Sequence, residues 1–337
     1  MKKTKNLQKK NFLKKIFIKF CRILGFEIID QANFNSPTLA KNLNETLSVP
    51  GNKSITLPLG QLNIKRKIKG LKIILRTCTS ELIMDQNKRR LFNCEKNEYT
   101  FRTLKSIIKA VQQAKNTFKN IKFEIIVTDT NSSQNDISII KRLLSQSNID
   151  TKFFSIDLKS YESKIKSGYS KAKFSNMANF YNSLLMAKNE GSDVIYFVED
   201  DYIHASNSIT EMIFSYEKFA TIFKNDPILL PSDYPYLYTK DEATKVYLGE
   251  RYHWRLVSES LVTFMTSKSV IENNFKNLET MGIEWIDPWE KPLHDIYKNN
   301  PCLSPLPSLA FHCANINSVF GLSPNINWKK LWDENKV

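Results

Sequence analysis

Residues 194–202, VIYFVEDDY, decide the fold. The first five, 194–198, are almost all apolar and run directly into three carboxylates, Glu199, Asp200 and Asp201. A short apolar run of this kind predicts a strand buried on both faces, as in a parallel α/β sheet. Open α/β sheets bind their ligands at the carboxyl ends of the strands, which is where these acids stand.

Three adjacent carboxylates repel one another, and a nearby positive charge would compensate them. A hard divalent cation with oxygen ligands, Mg²⁺ or Mn²⁺ shared with a phosphate, is one candidate. A solvated acidic turn after a strand has the same sequence pattern. The residues of this stretch alone leave both interpretations open.

Strands and helices alternate on either side of this stretch. Apolar residues recur at helical spacing over 99–118, 136–145, 176–190 and 209–219, and buried strands are predicted at 71–76, 122–128 and 151–156. This alternation predicts an α/β fold, a mostly parallel sheet with flanking helices. After residue 225 the alternation gives way to segments dense in aromatic residues, prolines and charges.

The charge of the chain is concentrated at its N-terminus. The formal net charge is +15, and residues 1–22 contain nine Lys or Arg and no acid. Such an excess favours anionic partners: nucleic acid, an acidic membrane surface or phosphorylated substrates. The five cysteines are widely spaced and odd in number, which indicates neither a disulfide framework nor a CxxC metal site and fits a reducing compartment.

Residues 1–29 have the pattern of a basic amphipathic helix. Over 11–29 the apolar residues fall on one helical face and the cations on the other. The cations leave no apolar run of about 18 residues, so we expect neither a transmembrane helix nor a signal peptide. We expect this helix to lie on an anionic membrane surface, and packing on the protein's own body is the alternative. We do not expect nucleic acid to be a partner, because no nucleic-acid-binding motif follows.

Taken in order, these segments resemble a glycosyltransferase of the GT-A fold, in the broad family-two-like group. The resemblance covers roughly residues 70–320. It rests on polar residues after the first and second strands, a helix with spaced asparagines, and a DxD-like motif that ends the next buried strand. It implies binding of a nucleotide-diphospho-sugar by these residues: Arg76, Thr77, Thr79, Asp129, Asn131, Ser132, Asn176, Asn179 and Asp200.

The same resemblance implies a metal site and a catalytic base. Mn²⁺ or Mg²⁺ would be held by Asp201, with Glu199 and a late histidine, His312, as further ligands. An inverting transfer needs a base, which the family places at a helix start three residues before a Leu, as Glu290 stands in WEKPLHDIY. Asp287 and Asp295 are rivals, and a helix-capping role for Glu290 is the alternative.

Aromatic planes suit sugar faces, although aromatic clusters also form cores. His253, Trp254 and Trp289 are therefore expected to contact the acceptor. The expected organisation is a membrane-surface helix (1–30), a linker with short strands (31–69), a donor-binding half (70–225), an acceptor-binding half (226–325) and a tail (326–337).

The sequence thus predicts a metal-dependent glycosyltransferase at the cytoplasmic face of a membrane. It would move a sugar from a nucleotide-diphosphate donor to a saccharide or lipid-linked acceptor in surface polysaccharide assembly. One alternative is a nucleotidyltransferase that makes a nucleotide sugar, although residues 77–82 lack its glycine-rich loop. Another is a non-catalytic protein that binds membranes or anionic polymers.

Overall fold

The computed structural model describes residues 4–26, 28, 48–56, 60–80, 91–234, 237–238, 243–313 and 326–337. The chain divides into two compact units, residues 1–63 and 64–337. Much of the predicted linker with short strands, 31–69, lies outside the described residues.

The first unit contains one long helix and a small hairpin. Helix α1 is Thr4–Ile23, and strands β1 (Lys53–Thr56) and β2 (Gly60–Asn63) pair antiparallel. Within the described residues, no helix is both long enough and apolar enough to cross a bilayer. Helix α1 covers most of the segment, 1–29, in which the basic amphipathic pattern predicts a helix.

The second unit is built on a large sheet. The strands described in it are β3 (Gly70–Thr77), β4 (Lys122–Asp129), β5 (Asp150–Ser155), β6 (Val194–Glu199), β7 (Tyr202–His204), β8 (Ile228–Leu229), β9 (Val246–Leu248), β10 (His253–Leu256), β11 (Phe264–Ser267), β12 (Cys302–Leu306) and β13 (Ala310–His312). Nine of these described strands form the sheet, in the order β5-β4-β3-β6-β11-β8-β12-β10-β9. Strands β7 and β13 form a separate antiparallel pair.

The sheet has a parallel half and a mixed half. Strands β5, β4, β3 and β6 are all parallel neighbours. Beyond β6 the sheet turns mixed, because β11 is antiparallel to both β6 and β8 and β10 is antiparallel to β12. The α/β prediction is confirmed. The segment after residue 225, where the alternation of strands and helices ends, supplies the strands of the mixed half beyond β6.

Helices cover both faces of the sheet. The described helices of this unit are α2 (Lys96–Thr117), α3 (Gln134–Ser145), α4 (Lys171–Glu190), α5 (Ser208–Phe223), α6 (Lys268–Asn273), α7 (Phe275–Leu278), α8 (Thr280–Ile283), α9 (Lys291–Ile296) and α10 (Trp328–Glu334). Alternation along β3 places Ile73 in the core cluster that contains the apolar residues of α2 and α5, and Ile74 in the cluster that contains those of α4. The four long helices predicted from the periodicity are confirmed.

Two local signals set the start and the anchoring of particular helices. Helix α4 begins five residues before the predicted 176, because the Ser170 side chain accepts a hydrogen bond from the Lys173 amide and caps it. The expected tail contains α10, whose Trp332 stacks on Phe92 with 3.9 Å between ring centroids. Arg102 of α2 donates to the Trp332 carbonyl oxygen at 2.6 Å. Helix α10 is thus held against α2 by this hydrogen bond.

Candidate active site

The carboxyl ends of β3, β4 and β6 lie side by side at one edge of the sheet. Parallel pairing sets Thr77 opposite Asp129 and Arg76 opposite Glu199. Polar residues that are far apart in the sequence therefore meet at one edge, as the strand-end pattern predicts.

The loops after β3 and β4 are joined by a buried carboxylate. Asp129, 2% exposed, accepts hydrogen bonds from the Thr77 hydroxyl at 2.7 Å and from the hydroxyl and amide of Ser132. The Thr79 amide donates to the Ser132 hydroxyl at 2.9 Å. Burial raises the pKa of Asp129 although these hydrogen bonds oppose the shift. Asp129 thus holds the loops after β3 and β4 together through buried hydrogen bonds.

Asn179 of α4 ties the same two strands together. It donates to the backbone carbonyl oxygens of Thr77 (3.3 Å) and Thr128 (2.9 Å) and accepts from the Thr128 hydroxyl at 2.7 Å. Asn131, at a backbone φ of 58°, is half-buried in the loop after β4. Nucleotide contacts by these residues stay predictions.

The three acids at the end of β6 have three different sets of partners. Glu199 lies against the guanidinium of Arg76, with 3.3 Å between Oε1 and Nη2, and accepts from the Thr263 hydroxyl at 3.2 Å. Asp200 accepts from the Thr100 hydroxyl at 2.8 Å and from the Cys78 amide at 3.2 Å. Asp200 therefore holds the loop after β3 to the start of α2.

Asp201, the last acid, contacts His312, with 3.1 Å between Oδ2 and Nε2. Strand β13 brings His312 here because it pairs with β7, directly after the acids, and because the Cys313 amide donates to the Asp201 carbonyl oxygen at 2.7 Å. The imidazole stacks on Tyr202 with 4.6 Å between centroids and 8° between planes. Two of the three predicted metal ligands are thus adjacent.

The third predicted ligand, Glu199, faces Arg76, and the described residues contain no group of three or more His, Cys, Asp or Glu suited to a metal. The Asp201 carboxylate nevertheless suits Mn²⁺ and Mg²⁺, and the His312 imidazole suits Mn²⁺ better than the oxygen-preferring Mg²⁺. The protein side of a metal site would be this pair.

Arg76 places a positive charge within the acidic edge. It is 4% exposed, donates to the Asn176 side chain at 3.0 Å, and lies 5.2 Å above the centroid of Phe180. Burial lowers the pKa of its guanidinium, and the charges of the neighbouring acids oppose that shift. This counter-ion role was missed from the sequence because β3 and β6 pair only in the fold.

Glu290 lies immediately before α9 and is half-buried. Burial, followed by the charges of Glu199 and Asp287, raises its pKa to about 7. The influence of Glu199 places Glu290 within electrostatic reach of the acid edge. Its side chain makes no capping hydrogen bond to α9, which argues against the capping alternative.

The two rival acids face solvent. Asp287 is exposed. Asp295 lies on the surface of α9, where it pairs with Lys291 at 3.7 Å and Lys298 at 3.4 Å. Glu290, in contrast, is half-buried and has a pKa raised to about 7.

The predicted acceptor residues are spread over the mixed half. Trp254 is 0% exposed and donates to Glu211 at 3.3 Å, and Trp289 is 6% exposed and donates to the Met281 carbonyl oxygen at 2.8 Å. His253 is exposed on β10. Neither tryptophan ring presents a face to solvent, and the acceptor role of all three residues stays a prediction.

No protein-family model matches the sequence, and no curated protein matches it. Solved structures to which the chain is similar include the WbbM bifunctional glycosyltransferase, at 9% identity and a TM-score of 0.36, over 70% of this chain but only 38% of that one. Mouse xyloside xylosyltransferase 1 matches at 13% identity and a TM-score of 0.36, over 68% of this chain and 76% of that one. Glucosyl-3-phosphoglycerate synthase from Mycobacterium tuberculosis matches at 10% identity and a TM-score of 0.30, over 64% and 67%. The first two of these proteins are glycosyltransferases by name.

Proposed function

We propose that this protein is a metal-dependent glycosyltransferase that moves a sugar from a nucleotide-diphosphate donor to a saccharide or lipid-linked acceptor. The observation that carries the proposal is the contact between Asp201 and His312 at the carboxyl edge of the sheet. It unites the last acid of the DxD-like motif with the late histidine that the resemblance implies.

The distribution of charge at this edge supports a diphosphate ligand. Arg76 already offsets Glu199, and Asp200 is engaged by neutral donors. Asp201 and His312 are left as the pair that would hold Mn²⁺ or Mg²⁺. When bound, such an ion would stabilise the charge that develops on a leaving diphosphate.

Glu290 is the proposed base for the acceptor hydroxyl, which makes the transfer inverting. A base works best when its pKa lies near the operating pH, and the pKa of Glu290 is about 7. The charge of Glu199 contributes to that shift, which supports a position of Glu290 beside the donor. The two carboxylates therefore have separate tasks, Asp201 toward the donor and Glu290 toward the acceptor.

We also propose that α1 brings the enzyme to an anionic membrane surface and its lipid-linked acceptor. Phe12, Ile16, Phe20 and Ile23, which share one helical face, are 65%, 51%, 57% and 76% exposed. Ile18, about 200° around the helix from Ile16, is 7% exposed. These apolar side chains of α1 are thus exposed, which supports a membrane partner.

Thermal unfolding with a panel of nucleoside diphosphates, nucleotide sugars, nucleoside triphosphates and sugar phosphates, with and without Mn²⁺, tests the donor site. A ligand that binds the folded state raises the midpoint by mass action. We expect one nucleotide to give a metal-dependent rise in the wild type that Asp201→Ala abolishes. Asp295→Asn, on the surface of α9, is a matched control that should keep the rise.

The outcomes separate the alternatives. No rise with any nucleotide would contradict a donor site and favour the non-catalytic protein. A rise with nucleoside triphosphates and sugar phosphates, but with no diphosphate, would favour the nucleotidyltransferase.

Vesicle co-sedimentation tests the membrane partner separately. We expect binding to vesicles containing phosphatidylglycerol and not to pure phosphatidylcholine vesicles. Ile16→Glu combined with Phe20→Glu should remove this binding, whereas Val246→Ala, at a site 53% exposed in the other unit, should not. Equal binding by the double variant would contradict a role for α1.

A further inference from the structure

A pyranose can lay its apolar C–H face on an aromatic ring, and a ring suited to this is both open to solvent and held in place. Among the described residues of 64–337, Tyr238 is the one Phe, Trp or Tyr that is exposed, at 46%. Trp254 and Trp289 are buried. Surface aromatics are otherwise confined to α1 and its immediate continuation, Phe26, within the part that the structure describes.

The Tyr238 side chain is fixed from two directions. Its hydroxyl donates to Asp233 Oδ2 at 2.7 Å, and the guanidinium of Arg255 lies 4.2 Å from the ring centroid. The hydroxyl contact sets the tilt of the ring, and the guanidinium covers one of its faces. A ring held in this way loses little conformational entropy when a ligand stacks on its other face.

The two residues that hold the ring form a buried ion pair. Asp233 and Arg255 are 4% and 7% exposed, with 3.0 Å from Nε to Oδ1 and 2.9 Å from Nη2 to Oδ1. The Ser304 hydroxyl also donates to Asp233, at 3.2 Å. A buried ion pair contributes little net stability compared with an apolar replacement. Positioning Tyr238 gives this pair a function.

The backbone that carries Tyr238 is connected to the donor edge. The Asp233 amide donates to the Ser308 hydroxyl at 2.9 Å, just before β13. The hydroxyls of Tyr234 and Tyr202 are 2.8 Å apart, and Tyr202 stacks on His312. Tyr238 is therefore linked through few contacts to the residues proposed to hold the metal.

We infer that Tyr238, held by Asp233 and Arg255, is the stacking platform for a pyranose ring of the saccharide acceptor. This inference rests on the proposed function and deepens it. It moves the acceptor contact from the buried tryptophans to the loop after β8.

Saturation-transfer-difference NMR with a panel of methyl glycosides tests the platform. The panel would contain common hexosides, 6-deoxyhexosides and N-acetylhexosaminides, measured in the presence of diamagnetic Mg²⁺ and the nucleotide that stabilises the protein. We expect saturation transfer to the C–H face of at least one glycoside in the wild type. Tyr238→Ala should weaken its binding about tenfold, which corresponds to about 1.4 kcal/mol. Tyr238→Trp should retain binding.

The control separates this inference from the proposed function. Tyr238→Ala should keep the wild-type rise in midpoint with nucleotide and Mn²⁺, because the described contacts of the Tyr238 side chain are with Asp233 and Arg255 and not with Asp201 or His312. Val246→Ala, at a comparably exposed site, should keep glycoside binding. Unchanged glycoside binding in Tyr238→Ala, or no saturation transfer in the wild type, would overturn the platform. A normal nucleotide response in the same samples would leave the donor site standing.

Discussion

The parallel and mixed halves of the main sheet differ in how they place their polar groups. In the parallel half, residues at the ends of β3, β4 and β6 reach the site directly, because neighbouring strands end at one edge. In the mixed half, the residues of interest come from loops: Asp233 follows β8, and Glu290 stands before α9. Under the proposed function, donor chemistry would therefore depend on strand register, and acceptor chemistry would depend on loop packing.

This difference extends to what each half does with its charges. Arg76 and Glu199 form a pair at the open donor edge, with Glu199 partly accessible. Asp233 and Arg255 form a buried pair that supports an exposed ring. The parallel half thus has its charges at an open edge, whereas the mixed half uses charge to position an uncharged surface. The predictions that follow test this division, from the largest expected effect to the smallest.

The largest effect is expected at Glu290, the proposed base. Glu290→Gln should reduce transfer by about 10²–10⁴, the range for loss of a general base. In the wild type the rate should fall as the pH drops through about 7, because the carboxylate gains a proton. The variant's residual rate should lack this dependence. A pH profile of transfer, measured at saturating donor, provides the check.

The same substitution should stabilise the protein at high pH. The folded pKa of about 7 exceeds the ordinary 4.5, so the favourable contribution of the protonated carboxyl is full below about 4.5 and is lost as the pH rises through 7. Glu290→Gln removes that loss, which is at most about 3 kcal/mol at pH 8. Equal stability at pH 8, or loss of transfer in Asp287→Asn instead, would argue against the assignment.

A smaller effect is expected on Mn²⁺ affinity, which should depend on His312 of β13 and not on His204 of the paired strand β7. His312→Ala should weaken Mn²⁺ binding about 10- to 100-fold in titration calorimetry with the stabilising nucleotide, by analogy with losses around metal ligands. His204, 2% exposed, has its Nε2 2.7 Å from the Tyr196 hydroxyl, and burial lowers its pKa to about 4. His204→Phe should cost about 1–3 kcal/mol of stability and leave Mn²⁺ affinity near the wild-type value. Equal loss of Mn²⁺ affinity in both variants would contradict the metal pair.

The sequence predicts the parallel half well because its information is local. Apolar runs at 71–76, 122–128 and 194–198 become β3, β4 and β6, and the polar residues after them converge as parallel topology requires. The pairing of Arg76 with Glu199 was not predictable in this way, because nothing near either residue indicates the register between their strands.

The mixed half is less predictable because aromatic residues suit both cores and sugar sites. Trp254 appears in RYHW beside charged residues, yet it packs on Phe219 and its indole nitrogen donates to Glu211. Tyr238 ends a similar run, PSDYPYLY, and is exposed. Which ring is buried depends on where α5 packs against the sheet, and no local pattern encodes that contact.

Substitution of Trp254 therefore tests whether this residue stabilises the fold or binds the acceptor. Trp254→Phe removes one donor from the buried carboxylate of Glu211, which also accepts from the amides of Glu250 and Arg251, both at 3.0 Å. We expect a loss of about 1–3 kcal/mol in urea unfolding, because a buried acceptor loses a partner. Glycoside binding should change little. If Trp254→Phe had normal stability but lost glycoside binding, Trp254 would be the residue that contacts the acceptor.

The smallest effect is expected at Asp295, the solvent-facing rival of Glu290. Its carboxylate is 41% exposed and pairs with Lys291 and Lys298 on the surface of α9, and exposed pairs of this kind contribute about 0–1 kcal/mol. Asp295→Asn should therefore lower stability by no more than about 0.5 kcal/mol, and less at high salt. Transfer should keep the wild-type dependence on pH, because Asp295 is engaged by lysines while Glu290 is the acid influenced by Glu199. If the pH profile of Asp295→Asn lost its midpoint near 7, the base would be Asp295, on the solvent-facing surface of α9. The proposed division between an open donor edge and an acceptor half that positions its groups by burial would then be wrong.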